Sequence, residues 1–188
     1  MDNTELNQLS NEELWQLFPI ILSEYQSIWE EKYLSEEKEL TEIIDKETVY
    51  RIRHIGSTAV PGLLAKPTID ILMEIYENTD TDRLIQLLEG VGYIYSPQPG
   101  NPPPHILLMK GYTMEGFKGQ AVHLHIRYPG DWDEPYFCDY LKNNPDIAEE
   151  YGRLKVSLQV KFRNNRDGYT AAKTDFIRKY TALARAEQ

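Results

Sequence analysis

Residues 54–70 read His-Ile-Gly-Ser-Thr-Ala-Val-Pro-Gly-Leu-Leu-Ala-Lys-Pro-Thr-Ile-Asp, and the fold turns on what flanks this stretch. Before it, residues 48–55 (TVYRIRHI) alternate β-branched or aromatic side chains with basic ones, as a half-buried strand does. Into and beyond it, residues 68–76 (TIDILMEIY) read as a second strand. Period two places Ile69, Ile71, Met73 and Ile75 on one face and Asp70, Leu72 and Glu74 on the other. The unit is therefore strand, Gly-Ser turn, strand, with an aspartate on the second strand. Gly56 lets backbone approach a ligand closely, and Ser57 and Thr58 add hydroxyls beside exposed amide N–H groups, a combination that cradles phosphate oxygens. Asp70 is placed to hold Mg²⁺, a hard cation that takes one or two carboxylates plus substrate phosphates. The competing reading of the same string is a structural turn followed by a solvated carboxylate.

Working outward, residues 23–46 carry Tyr25, Ile28, Trp29, Tyr33, Leu34, Leu40, Ile43 and Ile44 mostly three or four apart, which predicts an amphipathic helix. A shorter helix over 14–22 is expected to break at Pro19. Residues 79–89 predict a helix, followed by a strand at 93–96, a Pro-rich loop, and strands at 105–112 and 121–128. Gly116 and Gly119 suggest that the last two strands pair antiparallel through a loop. From about 133 the chain predicts three helical pieces, with breaks at Asn143-Asn144-Pro145 and at Asn164-Asn165. The expectation is an α+β fold in a single domain over 1–188: N-terminal helices (1–47), a mixed-sheet core (48–128) and a helical end (129–188).

The composition limits the function. The chain has 188 residues, 30 acidic against 20 basic, for a formal charge of -10. A duplex-binding protein collects phosphates with a basic surface, so no nucleic-acid partner is expected. The first residues are acidic and polar, unlike a secretory leader, and apolar runs such as Ile106-Leu107-Leu108-Met109 are too short to span a bilayer. No membrane partner and a cytoplasmic location are expected. The single cysteine, Cys138, reads as a small buried side chain rather than a reactive thiol.

The detailed string HIGSTAVPGLLAKPTIDI closely resembles the signature of the GrpB-like family, within the nucleotidyltransferase-fold superfamily. Tyr25 and Trp29, Val122-His-Leu-His-Ile126, Phe137-Cys-Asp-Tyr-Leu141, Pro145, Tyr151, Leu154-Lys155 and Tyr169-Thr-Ala-Ala-Lys-Thr-Asp-Phe-Ile177 resemble further family segments in the same order. The resemblance implies a nucleotidyltransferase-like mixed sheet flanked by helices. It also implies a site in which Gly56 and Ser57 match the turn and Asp70 the first metal carboxylate. Leu72 stands where such sites place a second carboxylate, and it cannot bind metal. Glu74 is about 13 Å along the strand from Asp70, too far to share one ion, and reads as a surface or strand-end carboxylate.

His123 and His125 fall on the strand where a third carboxylate is expected, and period two puts them on one face. They are candidates to take a proton or, His125 with Asp70, to bind a softer divalent ion. His54 borders the loop, and Lys66, Arg127 and Lys173 are candidates for phosphate contacts. Lys173 also fits a helix-packing stripe with Tyr169 and Phe176. The run from Lys155 to Arg166 reads as a solvated face over Leu154, Leu158 and Phe162. Three functions remain open: an Mg-dependent nucleotidyltransferase acting on a nucleotide and a small acceptor; a non-catalytic nucleotide- or phosphate-binding module that lost chemistry with Leu72; and a metal hydrolase built on His54, His123 and His125.

Overall fold

A computed structural model describes residues 6–187. Its helices are α1 (Asn11–Leu17), α2 (Ile28–Ile43), α3 (Thr81–Glu89), α4 (Asp133–Asn143), α5 (Pro145–Phe162) and α6 (Arg166–Ala186). Its strands are β1 (Val49–Ile55), β2 (Thr68–Ile75), β3 (Ile94–Ser96), β4 (Ile106–Thr113) and β5 (Gly116–Arg127). The fold class is the expected α+β one, a mixed sheet flanked by helices with a helical end. The sheet order is β1-β2-β5-β4-β3. β2 and β5 run parallel, and every other neighbouring pair is antiparallel.

Local chemistry sets the helix boundaries. Ser10 accepts from the Glu13 amide while Glu13 bonds back to Ser10, a reciprocal cap that starts α1. Asp80 caps α3, Pro145 opens α5 with its fixed φ, and Asn165 accepts from the Gly168 amide to open α6. The expected breaks at 143–145 and 164–165 are thus helix starts. Several boundaries differ from the sequence reading: α1 begins earlier, at Asn11, and β5 begins at Gly116, so Gly119 lies within the strand and not in the connecting loop. α1 stops at Leu17, ahead of Pro19. α2 begins only at Ile28, because Ser23 exchanges backbone hydrogen bonds of 2.9 and 3.0 Å with Ala65 and holds the preceding segment extended.

The face of β2 bearing Ile69, Ile71, Met73 and Ile75 is fully buried against Trp29 and Leu40 of α2 and Leu84 and Leu88 of α3. On the other side of the molecule, Val60 and Leu63 of the loop after β1 pack with Cys138, Leu141, Ala148 and Tyr151 of α4 and α5. The helical end is thereby anchored to the loop of residues 59–64, beside the end of β2 that carries Asp70. Cys138 is buried as expected, and burial pushes its thiol up to about 11.

Glu74 corrects the sequence reading. It is buried, pairs with Arg51 and accepts from the Gly130 amide at 3.0 Å, because helix α4 and its lead-in loop cover that end of the sheet. Among the described residues no helix is long and apolar enough to cross a membrane.

Candidate phosphate and metal site

The parallel pairing of β2 with β5 sets Asp70 beside His123 and Leu72 beside His125. Because side chains alternate, Asp70, His123 and His125 project from one sheet face. Asp70 Oδ1 lies 3.2 Å from His123 Nδ1 and 3.6 Å from His125 Nε2. One donor atom from each residue falls within a 4.8 Å cluster. Burial alone would raise the Asp70 pKa, but hydrogen bonding to the two histidines holds it well below the usual carboxylate range. Burial lowers His123 to about 4 against the pull of Asp70, so at neutral pH its ring is uncharged and donates Nδ1–H to the carboxylate. Its Nε2 then accepts from the Tyr112 hydroxyl at 2.7 Å, which also receives an Arg166 N–H at 3.3 Å.

The Gly-Ser turn closes over this carboxylate. Gly56 has φ +73, and a Cβ built there would stand 2.6 Å from Asp70 Oδ2, so only glycine allows the approach. Ser57 opens a short 3₁₀ turn, Ser57–Ala59. The Thr58 hydroxyl donates to the Thr68 carbonyl at 2.9 Å and accepts from His54 Nε2–H at 3.0 Å. That bond ties the turn to the start of β2 and explains why Thr58 is buried. His54 stacks on Tyr33 with ring centroids 4.6 Å apart. Burial lowers its pKa to about 4. Thr58 and His54 thus brace the loop.

Four cations gather around the turn and Asp70. Lys155 is 2% exposed and donates to Ser57 Oγ at 3.1 Å and to the Leu64 carbonyl. Lys66 and Lys173 lie over the buried Tyr169 ring, 6.0 and 4.5 Å from its centroid. Arg166 completes the set against Tyr112 and His123. Burial brings Lys66 down to about 7, with the charges of Arg166 and Lys173 acting in the same direction. Burial and then Lys173 and Lys66 bring Lys155 down to about 7. Lys173 is lowered to about 8 by burial, Asp70 opposing the shift and Arg166 adding to it. Each lysine is therefore perturbed by desolvation and by its like-charged neighbours.

The chain's overall similarities place it in a family. The family profile described as GrpB protein matches residues 19–183. The chain belongs to the GrpB family. It is 36% identical over 136 residues to a UPF0157 protein of Pseudomonas aeruginosa, covering 72% of this chain and 55% of that one. It therefore spans about half the length of that GrpB relative. It is 32% identical to the glutamate-rich protein GrpB of Alkalihalophilus pseudofirmus, over 84% of this chain and 91% of that protein. The crystal structure of GrpB from Enterococcus faecalis superposes with a TM-score of 0.76 at 34% identity, covering 89% of this chain and 98% of the other.

Of the residues singled out from sequence, the structure brings together Gly56, Ser57, Lys66, Asp70, His123, His125 and Lys173. It does not bring in Arg127, which is buried, donates to the Ile106 and Ile126 carbonyls and faces Trp132, near the far end of β5. Lys155 and Arg166 are additions: the run between them is largely exposed over Leu158 and Phe162, as expected, but its two ends turn into the site. A signal for Lys155 existed. Ala148, Tyr151, Gly152, Lys155 and Leu158 are the buried residues of α5, at helical spacing, so the lysine interrupts an apolar stripe. Arg166 stands at the first position of α6, where a cation opposes the helix dipole and needs another reason to be present.

Proposed function

We propose that the cleft around Asp70 binds a phosphate ester of the nucleotide class together with one divalent ion, and that the protein transfers a nucleotidyl or phosphoryl group to a small acceptor. The observation that supports this reading is charge imbalance: Lys66, Lys155, Lys173 and Arg166 converge on the Gly-Ser turn and Asp70, and Asp70 is the carboxylate acting on Lys66 and Lys173. Desolvated cations held together against their repulsion are stabilised by an anion, and a phosphate supplies both charge and acceptor oxygens. Ser57 Oγ and the amides of its turn supply donors, and the buried Tyr169 hydroxyl has no hydrogen-bond partner among the described residues.

The donor set decides which ion fits. One carboxylate and two imidazoles suit Mn²⁺, Fe²⁺, Co²⁺ or Zn²⁺ better than Mg²⁺, which prefers oxygen ligands throughout. Such an ion supplies Lewis acidity toward a phosphoryl oxygen. Asp70, His123 and His125 would hold it, and the Tyr112 hydroxyl orients the His123 ring from behind. The lysines hold and orient the anion. With pKa values near neutrality, Lys66 or Lys155 can also give or take a proton at Nζ.

Thermal denaturation with pyrophosphate or a nucleoside triphosphate, each with and without Mn²⁺, Zn²⁺ or Mg²⁺, tests the reading. A stabilisation that needs both ion and phosphate, and that Asp70→Ala abolishes, is the expected result. No shift with any of these at millimolar concentration overturns it. The His-rich donor set also favours a second reading in which water is the acceptor, making the protein a metal-dependent phosphoesterase. Product analysis separates the two, since hydrolysis proceeds without an added acceptor. Binding without turnover leaves the non-catalytic module.

A further inference from the structure

Directly beside this cleft lies a second concavity of about 170 Å³ that shares Lys66, Tyr112 and Arg166 with it. Phe18, Ile20 and Phe117 give the rest of its wall an apolar side, and Thr68 and Gln120 give it a polar edge. The three rings of Phe18, Tyr112 and Phe117 pack edge to face, with centroids 4.9 to 5.2 Å apart. The pocket exists because β2 starts at Thr68, opposite Ala121, so residues 118–120 of β5 extend past it and residues 18–21 fold across the gap.

Resting on the phosphate reading above, we propose that this pocket seats one planar aromatic ring system of the anionic ligand, its phosphate lying toward Lys66 and Arg166. Three observations support that occupant. The volume matches a single ring system: a dry protein cavity of about 150 Å³ accepts benzene. The wall offers aromatic edges and faces already arranged in the geometry that aromatic neighbours prefer. At the rim, Ile21 is 50% exposed and Phe117 45% exposed, leaving large apolar side chains in water immediately beside a cationic cluster. A ligand with an apolar ring at one end and phosphate at the other complements both halves. Gln120 Nε2 donates to the Pro67 and Ala121 carbonyls, which fixes the polar edge of the pocket.

The test compares affinities of inorganic pyrophosphate, ribose 5-phosphate, phenyl phosphate and the nucleoside mono- and triphosphates by titration calorimetry. A ring that stacks and is buried adds roughly tenfold to a hundredfold in affinity. The expected result is that ring-bearing phosphates bind at least tenfold more tightly than ring-free ones of equal charge. Phe117→Ala and the pocket-filling Gln120→Trp should erase that advantage while leaving pyrophosphate affinity unchanged; both side chains lie at the rim, and thermal melts verify folding. Equal binding of ring-bearing and ring-free phosphates overturns the ring pocket and leaves the phosphate site standing. Failure of every phosphate to bind overturns both.

Discussion

Lys155→Met should stabilise the ligand-free protein and cripple its anion binding. The lysine is almost fully buried, and its partners are a hydroxyl, a carbonyl and the Tyr151 ring, 4.7 Å from its Nζ. Depression from 10.5 to about 7 corresponds to roughly 5 kcal/mol disfavouring the charged form in the fold. Met keeps the unbranched stem and removes that term. Against it stands the Leu64 carbonyl left without its donor, about 1–3 kcal/mol, together with the lost ring contact. The net gain is roughly 1–3 kcal/mol, and for a chain of this size each kcal/mol raises Tm by about 2–4 °C. The sign with pH follows from the same shift. Between pH 7 and about 10 the unfolded chain holds a proton that the folded lysine has released, so wild-type stability rises with pH across that window. The variant should show a shallower rise. Scanning fluorimetry from pH 6 to 10 without ligand, paired with pyrophosphate titration at pH 7, measures both halves. A Tm that falls on substitution, with anion affinity intact, would refute the assignment of Lys155 to an anion site and make it a structural donor.

Three further outcomes follow from other parts of the structure. Gly56→Ala combines a left-handed backbone with a Cβ 2.6 Å from Asp70 Oδ2, so it should lower Tm and weaken metal binding measured by calorimetry at least tenfold. Glu74→Ala removes a buried side chain and leaves the Gly130 amide without its acceptor, while Arg51, 44% exposed, returns to water, so it should cost about 1–3 kcal/mol in chemical denaturation while leaving anion affinity within twofold. Pyrophosphate affinity should fall as pH rises from 7 to 9, because Lys66, Lys155 and Lys173 lose their protons from about 7 or 8 upward. A flat profile across that range would show that these amines do not carry the binding.

Most of the fold is legible in local pattern. The two strands around residues 54–70, the β4–β5 pairing and the three-part helical end follow from period-two alternation, glycine placement and Asn or Pro at helix starts. Local pattern failed where a distant partner intervened. Tyr25 continues the helical spacing of α2, yet the Ser23–Ala65 bridge holds its segment out of the helix. Glu74 follows Asp70 at an alternating position, but α4 and its lead-in loop arrive from much later in the chain to cover it. At the site, the string around Asp70 and the paired histidines could be read directly because β2 and β5 each present them by simple alternation. Lys155 and Arg166 come from helices whose approach to Ser57 and His123 is set by packing of the 59–64 loop against α4 and α5, which no spacing rule encodes.

The replacement of carboxylates by histidines bears on what the site can hold. The resemblance to nucleotidyltransferases leads one to expect carboxylates at the positions of Leu72 and of the β5 pair. Here Leu72 is 1% exposed and forms part of the packed interior, so its position offers no metal ligand. His123 and His125 place donor atoms beside Asp70, but an imidazole ligand brings no negative charge. One divalent ion on this set would therefore leave a net charge near +1, with the lysines and Arg166 adding to it. A cluster of that sign binds a polyanion more readily than a neutral alcohol or sugar, so on the proposed reading the phosphate-rich partner would set the affinity and the ion would orient it. On the proposed reading, the two clefts meeting at Lys66, Tyr112 and Arg166 would divide recognition: charge would select the phosphate on one side, and the aromatic wall the ring on the other.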